Sequence, residues 1–286
     1  MKNKYEVAKI IIIVFLCVAT GASIGYGICH HVFGMFGGKG SLSGPLSQPT
    51  TDTIQVSHEY QGIKVDLDMA QLTIVKGDTP GINYNLPAEL VPDVNVEDGI
   101  LHIENKKNQS FNLKSFIDNY NLEIVVPKDA QLETIEVNVD LGDIRINEID
   151  CRKLTVNADC GNIIVKDINT DIIAVNADLG NFQAEKVSFG ETNISVDAGN
   201  IQVNGCKAQT IEAGANMGNV EFRDMVFTSG KFNADMGDIV VCGDYDAIDA
   251  KCSLGAVNLE TVKPESEVNI HASVDLGKVT VNGHDW

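Results

Sequence analysis

Apolar and polar residues alternate through the second half of the chain, and the alternation resets at a glycine about every 19 residues. The resetting glycines are Gly142, Gly161, Gly180, Gly199, Gly218, Gly237, Gly255 and Gly277, at spacings of 19, 19, 19, 19, 19, 18 and 22. One residue before them stand Leu141, Cys160, Leu179, Ala198, Met217, Met236, Leu254 and Leu276. Three before stand Val139, Ala158, Ala177, Val196, Ala215, Ala234, Cys252 and Val274. The positions between are polar: Asp140, Asp159, Asp178, Asp197, Asn216, Asp235, Ser253 and Asp275 lie two before, and Asn138, Asn157 and Asn176 open the column four before. A period of two is a strand with one buried face. Past the glycine the apolar residues fall two and four later, as Ile144 and Ile146 do, so the inward face changes parity. A corner produces that change. Glycine accepts the backbone angles, and a neighbouring Asp or Asn supplies turn hydrogen bonds.

Two short strands, a corner and a polar return in each period predict one coil of a parallel β-solenoid, with coils stacked about 4.8 Å apart. The expected class is therefore all-β, a β-helix-like rod of 19-residue coils over residues 137–286. Residues 54–136 alternate less regularly, most clearly at 63–68, 101–103 and 122–124, with turns at Gly77-Asp78 and Asp98-Gly99. They read as the start of the same solenoid with longer excursions, or as its cap, since an open sheet edge needs covering. The C-terminal end, closing on Trp286, shows no obvious cap.

The N-terminus follows different rules. Lys2, Lys4 and Lys9 precede an uncharged run over residues 10–29. Twenty helical residues span about 30 Å, the hydrocarbon thickness of a bilayer. Residues 10–30 are expected to form one transmembrane helix through the lipid bilayer, behind a cytoplasmic stub at 1–9, with the remainder extracytoplasmic. A cleaved signal peptide, cut near Thr20-Gly21-Ala22, is the alternative. Residues 31–53, rich in Gly, Ser and Pro, read as a tether.

Charge narrows the partners. A net charge of -19 repels nucleic-acid phosphates and anionic lipid, so nucleic-acid binding is set aside. The aspartate column (Asp140, Asp159, Asp178, Asp197 and Asp235) stacks like charges, which hydration and turn amides or a bound hard cation such as Ca²⁺ would have to offset. The glycine-rich nonapeptide of calcium-binding β-rolls is absent. Of the seven cysteines, Cys17 and Cys29 belong to the membrane segment; Cys151, Cys160, Cys206, Cys242 and Cys252 do not pair by register and are expected as free thiols. No paired CxxC spacing marks a metal site. Of the histidines, only His271 and His284 lie in the repeats, each isolated, and there is no GxSxG elbow, P-loop or dinucleotide fingerprint. No catalytic residue and no cofactor is therefore assigned. The acids recur in every coil, as structural positions do.

The V-N-x-D-x-G-[DN]-I-x-V coils resemble the bacterial putative adhesin family, a β-strand-repeat domain of unknown function. The stretches D-G-I-L-H-I at 98–103 and L-E-I-V-V-P at 122–127 resemble that family's lead into the repeats, so the likeness covers about residues 55–284. The resemblance implies a cell-envelope solenoid, in many members membrane-anchored and in some linked to envelope stress. It brings no catalytic residues. Residues 111–120 depart from the pattern as an insertion and are a candidate recognition loop. The expected function is that of a single-pass plasma-membrane adhesin or an envelope binding or structural module, with an envelope polymer or a membrane protein as partner. The alternatives are an envelope-stress sensor working through a membrane partner and, from another class, a polysaccharide-active enzyme.

Overall fold

A computed structural model of the chain describes residues 46–56, 59–105 and 120–286. The transmembrane helix expected at 10–30, the tether before residue 46 and most of the 111–120 insertion lie outside the described residues. Among the described residues, no helix is long and apolar enough to cross a membrane.

The described chain is a parallel β-solenoid. Each coil has a long strand, a glycine corner, a short strand and a second corner. In the third regular coil these are Asn169–Leu179, Gly180 and Phe182–Glu185. Long strands pair only with long strands and short with short, always one period away. Val156 lies opposite Val137 below and Val175 above, and Val165 lies between Ile146 and Ala184. Inward residues form continuous apolar columns such as Val137, Val156, Val175 and Ile194, each 1% exposed or less. Aliphatic side chains fill most of the interior. Towards the C-terminal end aromatic rings take over: Phe222 meets Phe232 edge-on at 4.9 Å, and Phe227 stacks on Tyr245 at 5.0 Å.

The glycine corner has a specific steric cause. A Cβ built on any of the eight glycines would lie 1.7–2.1 Å from a backbone carbonyl oxygen of the coil beneath. For Gly161 that oxygen belongs to Gly142, for Gly180 to Gly161, and so on up the column. The corner amide also donates upward, as from Gly180 to the Ala198 carbonyl at 3.1 Å. The backbones therefore nest so closely that no side chain fits between them. The second corner works differently. Glu148, Asp167, Lys186, Gly205 and Asp224 occupy equivalent positions at φ between 52° and 63°, and nothing stands within 4 Å of a Cβ added at Gly205. There the left-handed turn is the only demand, and charged residues meet it at a cost of roughly 1–2 kcal/mol.

The two irregular spacings are resolved locally. Pairing jumps from Phe222–Val241 to Met225–Gly243, so one residue is lost at the second corner and the period falls to 18. The period of 22 accommodates a 3₁₀ turn at Glu265–Glu267 before the last coil.

The first full coil is Gly62–Met69 with Gln71–Gly77, and Ala70 occupies its glycine corner. Its amide donates to Leu141 O at 3.1 Å, as the corner glycines donate to the coil above them. Coil order then departs from chain order. Ile100–Glu104 and Asn121–Pro127 pair parallel beneath this coil, while Leu132–Leu141 and Ile144–Asn147 pair on its other side. The chain thus starts one level up, descends, and passes over its own first coil. Below, Asp93–Glu97 on one face, and Gly81–Leu86 followed by Thr50–Ile54 on the other, close the N-terminal end with antiparallel strands.

The two corners should respond differently to substitution. Gly180→Ala is expected to cost about 3 kcal/mol or more, since a methyl would overlap a backbone oxygen in a packed stack. Gly205→Asp should cost no more than about 1–2 kcal/mol, because Asp167 and Asp224 already hold that conformation. Urea midpoints of the two variants check this, and equal losses would refute the nested-carbonyl account.

Candidate functional site

The long strands present one outward face. Its three columns lie six, four and two residues before each corner and include Glu136, Asn138 and Asp140 on one coil and Thr155, Asn157 and Asp159 on the next. The first full coil adds Lys64, Asp66 and Asp68 in register. The aspartates expected as a cation ladder (Asp140, Asp159, Asp178, Asp197 and Asp235) all lie exposed on this face. Strand pairing skips this column in every coil, passing from Ala158–Ala177 to Cys160–Leu179 without Asp159 or Asp178. The side chains therefore fan outward at a bend just ahead of the glycine. Among the described residues, no group of three or more His, Cys, Asp or Glu side chains is placed to hold a metal ion.

Asp68 extends the acidic column below Asp140 and Asp66 lies beneath Asn138 in the next column; the pattern reading missed both because their coil has no corner glycine. Their effect is electrostatic. Partial burial, then the neighbouring charges of Asp159, Asp68 and Asp66, raise the Asp140 carboxyl from 3.8 to about 6. Asp68 is raised by burial and Asp66, and Asp178 by burial and by Asp159 and Asp197. Relief begins where the column changes residue: Asn216 Nδ2 donates to Asp197 Oδ1 at 3.0 Å.

Amides organise the rest of the surface. Asn157 Nδ2 donates to Asn138 Oδ1 at 2.7 Å, and Asn176 repeats the bond to Asn157 at 2.8 Å. A second ladder runs one residue past the corner, through Asp143, Asn162, Asn181, Asn200, Asn219 and Asp238. In it each side-chain oxygen accepts from the backbone amide of the coil above, at 2.8–3.1 Å. In the lower part of the ladder Asn162, Asn181 and Asn200 also donate through Nδ2 to the oxygen below. An asparagine both accepts and donates, so it continues a ladder; Asp143 can only accept, and it stands at the bottom, tied to Arg145 at 3.0 Å.

The cysteines divide. Cys151, Cys206, Cys242 and Cys252 are free thiols. Cys160, also expected to be free, is disulfide-bonded; register could not reveal this, since its neighbours across the coils are Leu141 and Leu179. Burial pushes the Cys151 and Cys242 thiols up to about 11, so they stay protonated and unreactive at neutral pH.

The coil pattern that carried the resemblance is a family signature. Residues 60–281 match the Toastrack DUF4097 family. The chain belongs to that family. Solved structures similar to this Toastrack DUF4097 member include putative adhesins from Bacteroides fragilis (16% identity, 83% of this chain and 98% of that one, TM-score 0.53) and Parabacteroides merdae (14% identity, 82% and 95%, TM-score 0.54). A putative adhesin from Parabacteroides distasonis is similar at 15% identity over 82% and 96% of the two chains, with a TM-score of 0.53. At such identities the likeness establishes the fold. No curated protein matches the chain.

Three substitutions separate charge from ladder. The Asp140 carboxyl holds its proton more tightly folded than unfolded, so ionising it weakens the fold. That penalty is complete above about pH 6 and is relieved as pH falls towards 3.8. Asp140→Asn should therefore stabilise the chain at pH 7 by roughly 0.5–1 kcal/mol, after screening of an exposed carboxylate, and give no gain at pH 4. Melting curves at the two pH values check the sign, and a lower melting temperature at pH 7 would contradict it. Asn181→Ala removes the acceptor for the Asn200 amide and should cost about 1–3 kcal/mol, against about 0.5–1 kcal/mol for Asn176→Ala on the exposed ladder. Chemical denaturation of both variants reads the difference.

Proposed function

We propose that this chain is a membrane-anchored, extracytoplasmic binding module of the cell envelope, with the long-strand face as its recognition surface. The observation that carries the reading is the regular array on that face. Asn138, Asn157 and Asn176 are locked to one another in a flat, rigid column beside a column of exposed aspartates. Each locked amide keeps hydrogen-bonding capacity directed outward at a fixed repeat. Such an array suits a partner that is itself repetitive and polar, such as a wall polymer or a glycan, because the side chains are already ordered before contact. The similarity to solved putative adhesins points the same way. The uncharged run at 10–29, with lysines before it, supports a single-pass anchor with the rod outside the plasma membrane.

The test is retention of the full chain, solubilised in detergent, by cell-wall polymer fractions and by solubilised membrane proteins. Binding to wall polymer that is lost on Asn157→Asp, which adds charge in mid-array, is the expected result. Selective capture of one membrane protein with no polymer retention would replace this reading with regulation of an envelope-stress partner.

A further inference from the structure

The two ends of the rod are finished differently. At the N-terminal end the outermost strands are short and polar: Thr50–Ile54 reads TTDTI and Asp93–Glu97 reads DVNVE. Both are antiparallel additions that blunt the stack. At the other end, Asn269–Val281 pairs downward with the coil beneath. His284–Asp285 and the Trp286 amide cover only Val279 to Val281 from above. Among the described residues, nothing pairs with the upper edge of Asn269 to Gly277. Its inward side chains are correspondingly bare. Ile248, Ala250 and Cys252 in the coil below are fully buried, whereas Ile270, Ala272 and Val274 above them are only half-buried. Leu276 is 69% exposed and Leu254 is 55% exposed, and Val262 and Trp286 are exposed at the same end.

The open strand is self-complementary. It reads Ile270, His271, Ala272, Ser273, Val274, Asp275, Leu276, with outward residues odd and inward residues even. Laid antiparallel against a second copy about a twofold axis through Ser273, His271 faces Asp275 twice, Ile270 faces Leu276 twice, and Ala272 faces Val274 twice. Opposed residues in an antiparallel pair point to the same side of the sheet. The half-buried apolar residues of both copies therefore join into one core. An imidazole N–H stands opposite a carboxylate on the outer face. Centring the axis instead on Asp275 or His271 sets like side chains against each other, centring it on Ala272 or Val274 leaves His271 and Asp275 unpaired with one another, and an axis between two residues sets inward side chains against outward ones. The register about Ser273 is the one that forms both His–Asp pairs.

We infer that the edge strand from Asn269 to Gly277 is a homophilic interface, whose partner is the same strand of a second copy. The interface is isologous. A twofold axis normal to the sheet reverses the stacking direction as well as the strand, so the rods meet tip to tip with their N-terminal ends pointing apart. The like charge of two chains at -19 each is spread along rods that diverge from the contact, mostly beyond the roughly 8 Å over which physiological salt transmits it. If the N-terminal anchor proposed above holds, this geometry joins molecules on opposed surfaces. The interface itself does not depend on that anchor or on what the long-strand face binds.

Disulfide capture tests it on the full chain as expressed, under mild oxidation and non-reducing electrophoresis, with the parent chain as background. Ser273→Cys places two thiols face to face on the axis, within bridging reach. It should form a dimer. Ser195→Cys, exposed in the same column at mid-rod, should give no more dimer than the parent. Adding His271→Asp to Ser273→Cys opposes carboxylates twice and should lower the dimer yield about tenfold. Adding both His271→Asp and Asp275→His restores the pairing with the charges exchanged and should restore the yield, which loss of folding could not do. No dimer from Ser273→Cys, equal yields from Ser195→Cys, no rescue by the exchange, or capture of a different protein at residue 273 would each overturn the inference.

Discussion

The structure depends on a close contact between backbones: at every regular corner the carbonyl of one coil occupies the space that a Cβ of the next would need. That contact sets the corner-to-corner step and leaves each coil a single way to sit on its neighbour. Once it is in place, residue i must lie over residue i−19 through the regular coils, and every column becomes chemically self-similar. Apolar columns then make the core. Amide columns make ladders. The acidic column is the one that works against the fold, since stacked carboxylates gain nothing from one another.

The ladders show how the stack tolerates that strain. Asparagine is the residue that can repeat indefinitely at one position, accepting from above and donating below, and it fills the column next to the corner where the backbone amide needs a partner. Aspartate stands at the two ends of that ladder, as Asp143 and Asp238, or at the bend where pairing lapses and the side chain can fan into water. Where five acids follow one another, from Asp68 to Asp197, burial and neighbouring charge lift the carboxyls of Asp68, Asp140 and Asp178. Asn216 then breaks the run with a hydrogen bond.

The glycine period and the parity change across it made the regular coils legible in sequence, because both are consequences of the corner contact. The same contact explains what stayed hidden. In the first full coil the corner is Ala70, where no further glycine corner presses from beneath, so a Cβ is tolerated and the sequence mark disappears. Asp66 and Asp68 were missed with it. The descent of residues 100–127 beneath residues 62–77 leaves no periodic trace, because it exchanges the order of coils without altering either one's alternation. The column just before the corner was read as inward throughout. It is buried at Leu141 and Cys160, half-buried from Leu179 to Met236, and 55% exposed at Leu254, so burial in this column falls off along the stack. The ladder past the corner was visible as an Asp/Asn position, but its bond to the next coil's backbone requires knowing which residues stack.

A rod of this kind has two sorts of surface. Along its sides, ladders and ion pairs satisfy the polar groups coil by coil, so side recognition has to use the outward capacity those bonds leave over. At its ends the periodic pairing stops, and the backbone hydrogen-bonding groups and apolar columns that each coil offers to the next are left without one. The N-terminal end resolves this by folding short polar strands back over itself. The C-terminal end instead keeps a long strand whose inward residues remain half-exposed and whose outward His271 and Asp275 stand at equal distances on either side of Ser273. A repeat that stacks by offering one coil's upper edge to the next coil's lower edge would extend without limit if both ends stayed open. Closing one end with antiparallel strands, and giving the other a pattern that fits an inverted copy of itself, limits the same stacking chemistry to a single additional contact.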